Sequence, residues 1–356
     1  MKRIGIPEIA RLAHVSIGTV DRALHGRKGI SSSTRKRILR VASEHGYRPN
    51  LAARALSVGK PAITIGVCIP REVHYFYDEL RDGFTSEARR YGDLGVEIVY
   101  RPFERLGVGE VEKMEELLST KPQIAAICPG EPQHLAPLID RAEEQNTRVL
   151  CVASDAPATA RSTVICVDPV VNGRLAAELM SRFLSPKAEV AIVTGMIATE
   201  DHRKKVQAFS ETYPFYSPGG RVLEVVEGHD EEDETFQKVY ALLGRYRTIE
   251  GLYVGTANCL PVCHAIGARG LHGKVRLITT DLFKEMVPYF EKGTILASIH
   301  QRPYVQGQIA VRLSVDYLAN GRPLPSTYYL TPHIVMRSNL DLFREIRRNG
   351  TSERPA

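Results

Sequence analysis

Hydrophobic positions near the start of the chain repeat at helical spacing. Residues 5–46 contain three short patterns in which apolar side chains lie three or four residues apart. They are Ile6, Ile9, Ala10 and Ala13; Val20, Ala23 and Leu24; and Ile38, Val41 and Ala42. Ser16 and Ser31 are suited to cap the second and third helices, because a serine oxygen accepts a hydrogen bond from a first-turn amide. Two short helices joined by a tight turn, with a third in support, predict a helix-turn-helix.

From Ile63 onward the pattern changes to short apolar runs that alternate with amphipathic helical stretches. The expected strands include residues 63–69, 96–100, 125–128, 149–152, 164–167, 189–193, 222–226, 251–254 and 297–300. Continuous apolar strands separated by helices indicate parallel sheets that are covered on both faces. Two such series, each of about five strands, predict two doubly wound α/β lobes. A small ligand is then expected at the carboxyl ends of the strands, between the lobes.

Charge separates the two regions further. Residues 1–60 hold 13 lysine and arginine residues against three acidic ones, whereas the remainder holds 34 basic and 38 acidic residues. A basic head on a mildly acidic body indicates a nucleic-acid-binding module joined to a second function. Apolar residues make up 43% and charged residues 25%, as in ordinary globular proteins. With no signal-peptide pattern and no apolar stretch of about 20 residues, we expect a cytoplasmic protein without a membrane span.

The six cysteines predict neither disulfides nor a metal centre. Cys68, Cys128, Cys151 and Cys166 lie in apolar runs, where they are typical of buried thiols in a reducing compartment. Cys259, Cys263 and His264 do not follow a common zinc-ligand spacing. We expect no metal and no cofactor.

The head resembles one family of regulators. Ile9-Ala10, Ala13, Val15-Ser16, Thr19-Val20 and Arg22 resemble the signature of the LacI/GalR family of bacterial transcription regulators. The likeness continues through Thr34-Arg35, residues 46–50 and residues 53–56. The resemblance implies a homodimer, most often a repressor, that binds a pseudo-palindromic operator in double-stranded DNA under the control of a small effector.

Candidate DNA contacts follow from the residue types and from this resemblance. Hydroxyl groups suited to phosphate oxygens belong to Ser16, Thr19, Ser31 and Thr34. The resemblance implies that Ile17 and Gly18 face the bases; because they offer few hydrogen-bonding groups, direct readout is expected to depend on Arg22. It also implies that Asn50, Ala53 and Leu56 belong to a hinge helix that pairs across the dimer in the minor groove, with Leu56 wedged between base pairs.

The body resembles the periplasmic sugar-binding-protein fold, in its ribose/galactose-binding branch, from about Ile63 to Asn339. The resemblance implies aromatic stacking on a sugar ring by Phe76 and Tyr77 with His74 beside them. It implies hydroxyl contacts from a second set of residues, which comprises Glu131, Asp155, Arg203, Thr256, Asn258, Asp281 and Gln301. Carboxylates, amides and guanidinium groups suit vicinal hydroxyls because each engages two at once. We therefore expect a neutral monosaccharide or related polyol, with a sugar phosphate or sugar acid left open by Lys204 and Lys205.

The predicted domains are a helix-turn-helix at 1–49, a hinge and linker at 50–61, a ligand-binding domain at 62–340 and a tail at 341–356. Within the ligand-binding domain, the first lobe is expected at 62–167 plus 298–325, and the second at 168–297 plus 326–340.

Two other functions fit parts of this pattern. A solute-binding protein that serves a transporter would share the body, although the basic head and the missing signal peptide argue against it. An enzyme on the α/β body is the third possibility. The sequence lacks a Walker loop, a Gly-x-Ser-x-Gly elbow and a His-Glu-x-x-His motif, and Asp201-His202-Arg203 is better explained as part of a ligand rim.

Overall fold

The computed structural model describes residues 5–24, 29–45 and 63–341. The first two ranges hold three helices, α1 (Ile6–Leu12), α2 (Ile17–Leu24) and α3 (Ser32–Glu44). Their apolar faces meet in one small core, in which Ile9, Val20 and Ile38 are fully buried. The helix-turn-helix expected from the sequence is confirmed, with its apolar positions on the inside.

Serine side chains cap the second and third helices as predicted. Ser16 Oγ accepts a hydrogen bond from the Thr19 amide at 3.2 Å, and Ser31 Oγ accepts one from the Thr34 amide at 3.1 Å. Each bond satisfies an amide that has no partner within its own helix. The caps therefore fix where α2 and α3 begin, and with them the tight turn before α2.

The body consists of alternating strands and helices. In chain order they are β1 (Ile63–Cys68), α4 (His74–Arg90), β2 (Val96–Tyr100), α5 (Glu110–Ser119), β3 (Ile124–Ile127), α6 (Pro132–Glu144), β4 (Arg148–Val152), β5 (Thr163–Val167), α7 (Pro169–Phe183), β6 (Glu189–Thr194), α8 (Glu200–Tyr216), β7 (Arg221–Glu227), α9 (Glu232–Arg245), β8 (Ile249–Val254), α10 (Leu260–Ala268), β9 (Arg276–Thr280), α11 (Val287–Glu291), β10 (Ile295–His300), α12 (Pro303–Asn320), β11 (Thr327–Leu330) and β12 (His333–Val335).

The strands form two sheets of six. The first has the order β11-β5-β4-β3-β1-β2 and is parallel throughout. The second has the order β12-β10-β9-β8-β6-β7, with β12 alone antiparallel to its neighbour. Central strands such as β3 and β5 are buried at every position, which explains their unbroken apolar sequence. Two doubly wound α/β lobes are thus confirmed, each with one strand more than expected.

The chain crosses between the lobes three times. It leaves the first lobe after β5, because α7 packs on the second sheet, and returns after β10, because α12 packs on the first. The sequence places the third crossover at Pro325-Ser326, but residues 327–330 still pair with β5 and belong to the first lobe. The crossing lies between Leu330 and His333. This short edge strand belongs to the first sheet because Thr327 pairs with Val164, which lies 163 residues earlier in the chain. A local sequence pattern does not reveal so distant a partner.

Candidate functional site

A cleft lies between the lobes, where the carboxyl ends of the strands of both sheets meet. It encloses a space of about 410 Å³, part of it open to solvent. Its lining combines aromatic, acidic and hydroxyl side chains from both lobes. These residues are Val73, Phe76, Tyr77, Leu106, Cys128, Ala153, Ser154, Thr199, Asp201, His202, Lys205, Asp230, Gly255, Thr256, Ala257, Asp281 and Gln301. This is where a doubly wound pair of lobes is expected to hold a ligand.

Lys205 is the buried centre of the polar network in the cleft. Only 1% of its side chain is exposed, and its Nζ lies 2.6 Å from Asp201 Oδ2. It also donates to Gln301 Oε1 at 2.8 Å and to the carbonyl oxygen of Gly255 at 3.3 Å. An ammonium group has three hydrogens, so these three acceptors use its full donor capacity.

Asp281 and Gln301 extend this network to the second crossover. The backbone amide of Gln301 donates to Asp281 Oδ1 at 2.8 Å, and its side-chain Nε2 donates to Asp281 Oδ2 at 2.7 Å. Asp281 has a left-handed backbone, with φ of 65°, directly after β9. Such a conformation costs free energy for a non-glycine residue, and here it turns the carboxylate towards the cleft. One carboxylate therefore links the floor of the cleft to the segment that connects the lobes.

Asp201 and Asp230 supply two further carboxylates. Asp230 Oδ1 accepts a hydrogen bond from Thr256 Oγ1 at 2.5 Å. His229 and Asp230 both have left-handed backbones, with φ of 50° and 55°, so the loop after β7 is strained at the point where it reaches the cleft. Asp201 Oδ1 is buried and has no hydrogen-bond partner within the described part of the chain. A buried acceptor without a donor is a position that a ligand donor would satisfy.

The apolar wall of the cleft comes from the start of α4. The rings of Phe76 and Tyr77 meet edge to face, with centroids 5.1 Å apart. The Tyr77 hydroxyl lies 3.6 Å from Cys128 Sγ. Burial raises the pKa of Tyr77 well above its usual value, with further increases from Cys128, Asp230 and Asp201, so the phenol stays neutral. The wall thus offers ring surface and one hydroxyl group.

Five of the ten residues assigned to the ligand by resemblance line this cleft. They are Phe76, Tyr77, Thr256, Asp281 and Gln301. The other five do not line it. Their side chains contact neighbours elsewhere: His74 with Tyr75, Glu131 with His134, Asp155 with Arg161, Arg203 with Glu200, and Asn258 with Thr235.

Arg203 and Asp155 show why a position near the cleft is not sufficient. Arg203 is 46% exposed and pairs with Glu200 at 2.7 Å, so its guanidinium points to solvent. Asp155 is held by Arg161 through contacts of 2.5 and 2.9 Å, which use both carboxylate oxygens. In each case a local ion pair fixes the charged group outside the cleft.

Sequence reasoning placed Asp201 only in a ligand rim together with His202 and Arg203, and it did not assign Lys205 or Asp230 to the sugar. A signal for Asp201 and Lys205 was present in α8. Its apolar positions Phe209 and Tyr213 define the buried face, and steps of four residues back along the helix lead to Lys205 and Asp201. Arg203 lies on the opposite face. Nothing local distinguished Asp230, because its orientation depends on the strained loop after β7.

Two contacts outside the polar network join the lobes directly. Thr199 Oγ1 donates to the carbonyl oxygen of Gly130 at 2.9 Å. The ring of Tyr75 stacks on Phe283 with centroids 3.9 Å apart and planes 10° apart. Both contacts join elements of opposite sheets, so the cleft is held closed at its rim.

The head presents a second candidate surface on α2. Ile17 is 56% exposed, and Ser16, Gly18 and Arg22 are exposed beside it. Thr19 is half-buried, and its hydroxyl lies 2.8 Å from Ser16 Oγ. The apolar face of α2 is buried in the head, so this opposite face is the one free to enter a groove.

The start of α3 carries the other candidate phosphate contacts. Ser31 is exposed and Thr34 is half-buried, and Ser31 Oγ donates to Thr34 Oγ1 at 2.8 Å. The predicted hinge contacts Asn50, Ala53 and Leu56 lie outside the described residues.

No helix in the ranges described by the structure is long and apolar enough to cross a membrane. The cysteines in these ranges, all six of the chain, are buried and unbridged. Burial raises the pKa of the Cys68 thiol to about 12.

Two family models match this chain. One, described as a periplasmic binding protein domain, matches residues 65–323. The other, described as bacterial regulatory proteins of the lacI family, matches residues 5–50. The two matches coincide with the helical head and the two-lobed body.

Among curated proteins, catabolite control protein A of Priestia megaterium is 26% identical over 334 residues, which cover 93% of this chain and 97% of the relative. Catabolite control protein A of Streptococcus mutans is 39% identical over 88 residues, 25% of this chain and 26% of the relative.

Solved structures of similar fold cover the body. A solute-binding protein of Burkholderia graminis in complex with D-arabinose has a TM-score of 0.73 at 23% identity, over 78% of this chain and 96% of that one. A glucose-galactose binding protein of Geobacillus stearothermophilus has a TM-score of 0.72 at 21% identity, over 78% and 99%. At these identities the likeness establishes the fold of the body.

Proposed function

The chain belongs to the periplasmic binding protein domain family and carries a lacI-family head, which makes it a transcriptional regulator, and we propose that a sugar bound in the cleft controls its affinity for operator DNA. It acts as a homodimer in the cytoplasm, most simply as a repressor. The family points to a regulator rather than an enzyme.

The polar network around Lys205 is the observation that carries the proposal for a sugar. Carboxylates and amides that each accept or donate twice match vicinal hydroxyls, and the rings of Phe76 and Tyr77 match the apolar face of a pyranose or furanose. The arabinose complex of similar fold and the glucose-galactose binding protein agree with this ligand class.

An anionic sugar is disfavoured by the same network. Lys205 already donates to three acceptors, and Lys204 and Arg203 both pair with Glu200. A phosphate or carboxylate entering the cleft would meet Asp201, Asp230 and Asp281 without an available cation among the lining residues described here. This removes the argument for a sugar phosphate that Lys204 and Lys205 offered in the sequence.

The polar network around Lys205 ends at the second crossover, and through this crossover ligand binding in the cleft is coupled to DNA binding. Asp281 and Gln301 connect the cleft to the second crossover, so a ligand that engages them changes the relative position of the lobes. In a dimer, that change alters the spacing of the two first lobes, and therefore of the hinge residues Asn50, Ala53 and Leu56 that we place in the minor groove. Ser16, Thr19, Ser31 and Thr34 contact phosphates, and Ile17, Gly18 and Arg22 face the bases.

A catalytic role for Asp201, His202 and Arg203 is not supported by their geometry. His202 Nδ1 accepts a hydrogen bond from the Met196 amide at 3.1 Å, Asp201 is paired with Lys205, and Arg203 faces solvent. No proton-transfer chain joins the three side chains. A solute-binding protein without a regulatory role would share the cleft, but the head argues for the regulator.

The experiment that tests the function is selection of DNA from a random library by the full chain. We expect pseudo-palindromic sites and a log–log salt dependence with a slope of about −0.9 for each phosphate neutralised. A chain without residues 1–60 is expected to keep its folded body, which has its own cores, and to lose the selected DNA. Retained binding by the truncated chain would overturn the assignment of the head. Failure of every sugar in a broad panel to change DNA binding would overturn the assignment of the effector.

A further inference from the structure

The carboxylates of the cleft outnumber its cations. Among the lining residues that the structure describes, Asp201, Asp230 and Asp281 face one lysine, Lys205. His202 Nδ1 accepts a hydrogen bond from the backbone amide of Met196 at 3.1 Å. The side chains that line the cleft therefore include more carboxylates than cations. Asp201 and Asp281 are buried and Asp230 is half-buried. Carboxylates that lose their hydration without gaining a matching positive charge are costly.

The three carboxylates differ in how well the protein satisfies them. Asp281 receives two hydrogen bonds from Gln301, and His300 Nδ1 lies 3.5 Å from its Oδ1. Asp201 shares the charge of Lys205 through Oδ2 only, and its Oδ1 has no donor within the described residues. Asp230 receives one neutral donor, the hydroxyl of Thr256. The unmet demand for positive charge is therefore concentrated at Asp201 and Asp230.

Both of these carboxylates line the same cleft as the Tyr77 hydroxyl. Both also raise the pKa of that hydroxyl, after the larger effects of burial and Cys128. The backbone of His229 and Asp230 is held in the left-handed region to bring the second carboxylate there. A structure that stores strain to add a second negative charge beside an unsatisfied one is suited to a cationic donor.

We propose that the effector is a polyol with a protonated amino group, such as an amino sugar, and that its ammonium binds between Asp201 Oδ1 and Asp230. The inference rests on the proposed function and refines its ligand class. Hydroxyls of the same molecule engage Asp281 and Gln301, and the ring stacks on Phe76 or Tyr77. Lys205 holds Asp201 in place and supplies one positive charge, and the ligand's ammonium supplies a second one to Asp201 and Asp230.

Matched series of sugars test this with the full chain. Calorimetry at about pH 6, where an amine is protonated, compares D-glucose, D-glucosamine and D-glucuronate, and the corresponding forms of D-galactose and D-mannose. We expect the amino member of at least one series to bind about tenfold or more tighter than its neutral member, and the acid not to bind. Equal or tighter binding of the neutral or acidic members would overturn the inference, as would failure of all nine compounds.

Variants that neutralise one carboxylate test where the ammonium group of the ligand binds. Asp230→Asn and Asp201→Asn are expected to reduce the preference for the amino member over the neutral one by about tenfold, because each removes one charge near the ligand. Glu200→Gln is the matched control. It removes a carboxylate from the same turn of α8, but Glu200 pairs with Arg203 and Lys204 outside the cleft, so the preference should stay unchanged.

The outcomes separate this inference from the proposed function. A neutral sugar that binds more tightly than its amino counterpart and changes the affinity for DNA would preserve the proposed function. It would overturn the inference that the effector carries an amino group. A preference that changes equally in Asp230→Asn and Glu200→Gln would show an effect of overall charge and would also overturn it. Because Asp201→Asn risks disturbing the buried Lys205, Asp230→Asn decides the result if the first variant is unstable.

Discussion

In the function proposed above, Asp281 joins ligand binding to movement of the lobes. Its two carboxylate oxygens accept from the backbone and the side chain of Gln301, which begins the second crossover. A substitution here would remove the proposed ligand contact and also the two hydrogen bonds that hold Gln301. Arg203, which resemblance also assigned to the ligand, makes no comparable contact.

Asp281→Ala is expected to lower effector affinity by about thirtyfold, equal to about 2 kcal/mol, because buried donors of Gln301 and the ligand lose their acceptor. Operator affinity without effector should stay within about threefold of the natural chain, since the head is not touched. Calorimetry and a DNA-binding titration measure the two effects. Arg203→Ala is the control, and a loss of effector affinity in it as large as that in Asp281→Ala would contradict the placement of Arg203 outside the cleft.

At the level of elements, the first lobe depends on unusually close packing of α4 against α12. A Cβ added at Gly83 would overlap the carbonyl oxygen of Tyr304, and one added at Gly307 would overlap the carbonyl oxygen of Leu80. These two glycines let the helix backbones touch. The same contact fixes the start of α12, close to the crossover at Gln301, so the packing of the two helices also positions the hinge.

Gly307→Ala is therefore expected to destabilise the body by about 1–3 kcal/mol, although alanine favours a helix more than glycine does. The neighbouring backbone cannot move aside without separating the helices. Denaturant unfolding followed by circular dichroism measures the change. Gly92→Ala is the control, because a Cβ at Gly92 meets nothing within 4 Å. Equal stability of the two variants would mean that α4 and α12 have room to adjust.

For the whole molecule, the lobes are joined by contacts between protein groups as well as by the cleft network. Thr199 donates to the carbonyl oxygen of Gly130 across the cleft, and the amide of Gly130 in turn donates to Glu110 at 2.8 Å. Burial raises the pKa of Glu110, although the hydrogen bonds that it accepts from the backbone amides of Glu131 and Gly130 lower it. The closed form is thus held partly by a loop that Glu110 fixes in the first lobe.

Thr199→Val is expected to weaken effector binding by about twofold to tenfold, since it removes one hydrogen bond of about 0.5–1.5 kcal/mol that exists only when the lobes are closed. Calorimetry with an effector gives the affinity. Thr147→Val is the matched control, because the Thr147 hydroxyl donates to the buried carbonyl of Pro122 at 2.7 Å within one lobe. That variant should lose stability but keep its affinity. Similar losses of affinity in both would show that Thr199 has no special role in closure.

Periodicity along the chain was enough to predict the architecture and part of the cleft lining. Helical spacing with serine caps defined the head, and apolar runs between amphipathic helices defined two parallel sheets, because both signals are local and periodic. Phe76, Tyr77, Asp281 and Gln301, which resemblance assigned to the ligand, do line the cleft, since each lies just after a strand or at the start of a helix. These positions project to the carboxyl edge of a parallel sheet whatever the details of packing.

Packing between distant segments selected the charged groups that line the cleft. The choice between Arg203 and Lys205 depends on the rotation of α8, which is set by its packing on α7, where a Cβ at Gly173 would overlap the carbonyl oxygen of Lys205. Asp155 was withdrawn by Arg161, and Asp230 was turned inwards by two left-handed residues. The edge strand β11 joined the first lobe through pairing with a distant strand. Each of these outcomes results from contacts between residues far apart in the chain or from local competition for a partner. Periodicity along the chain reveals neither of these two causes.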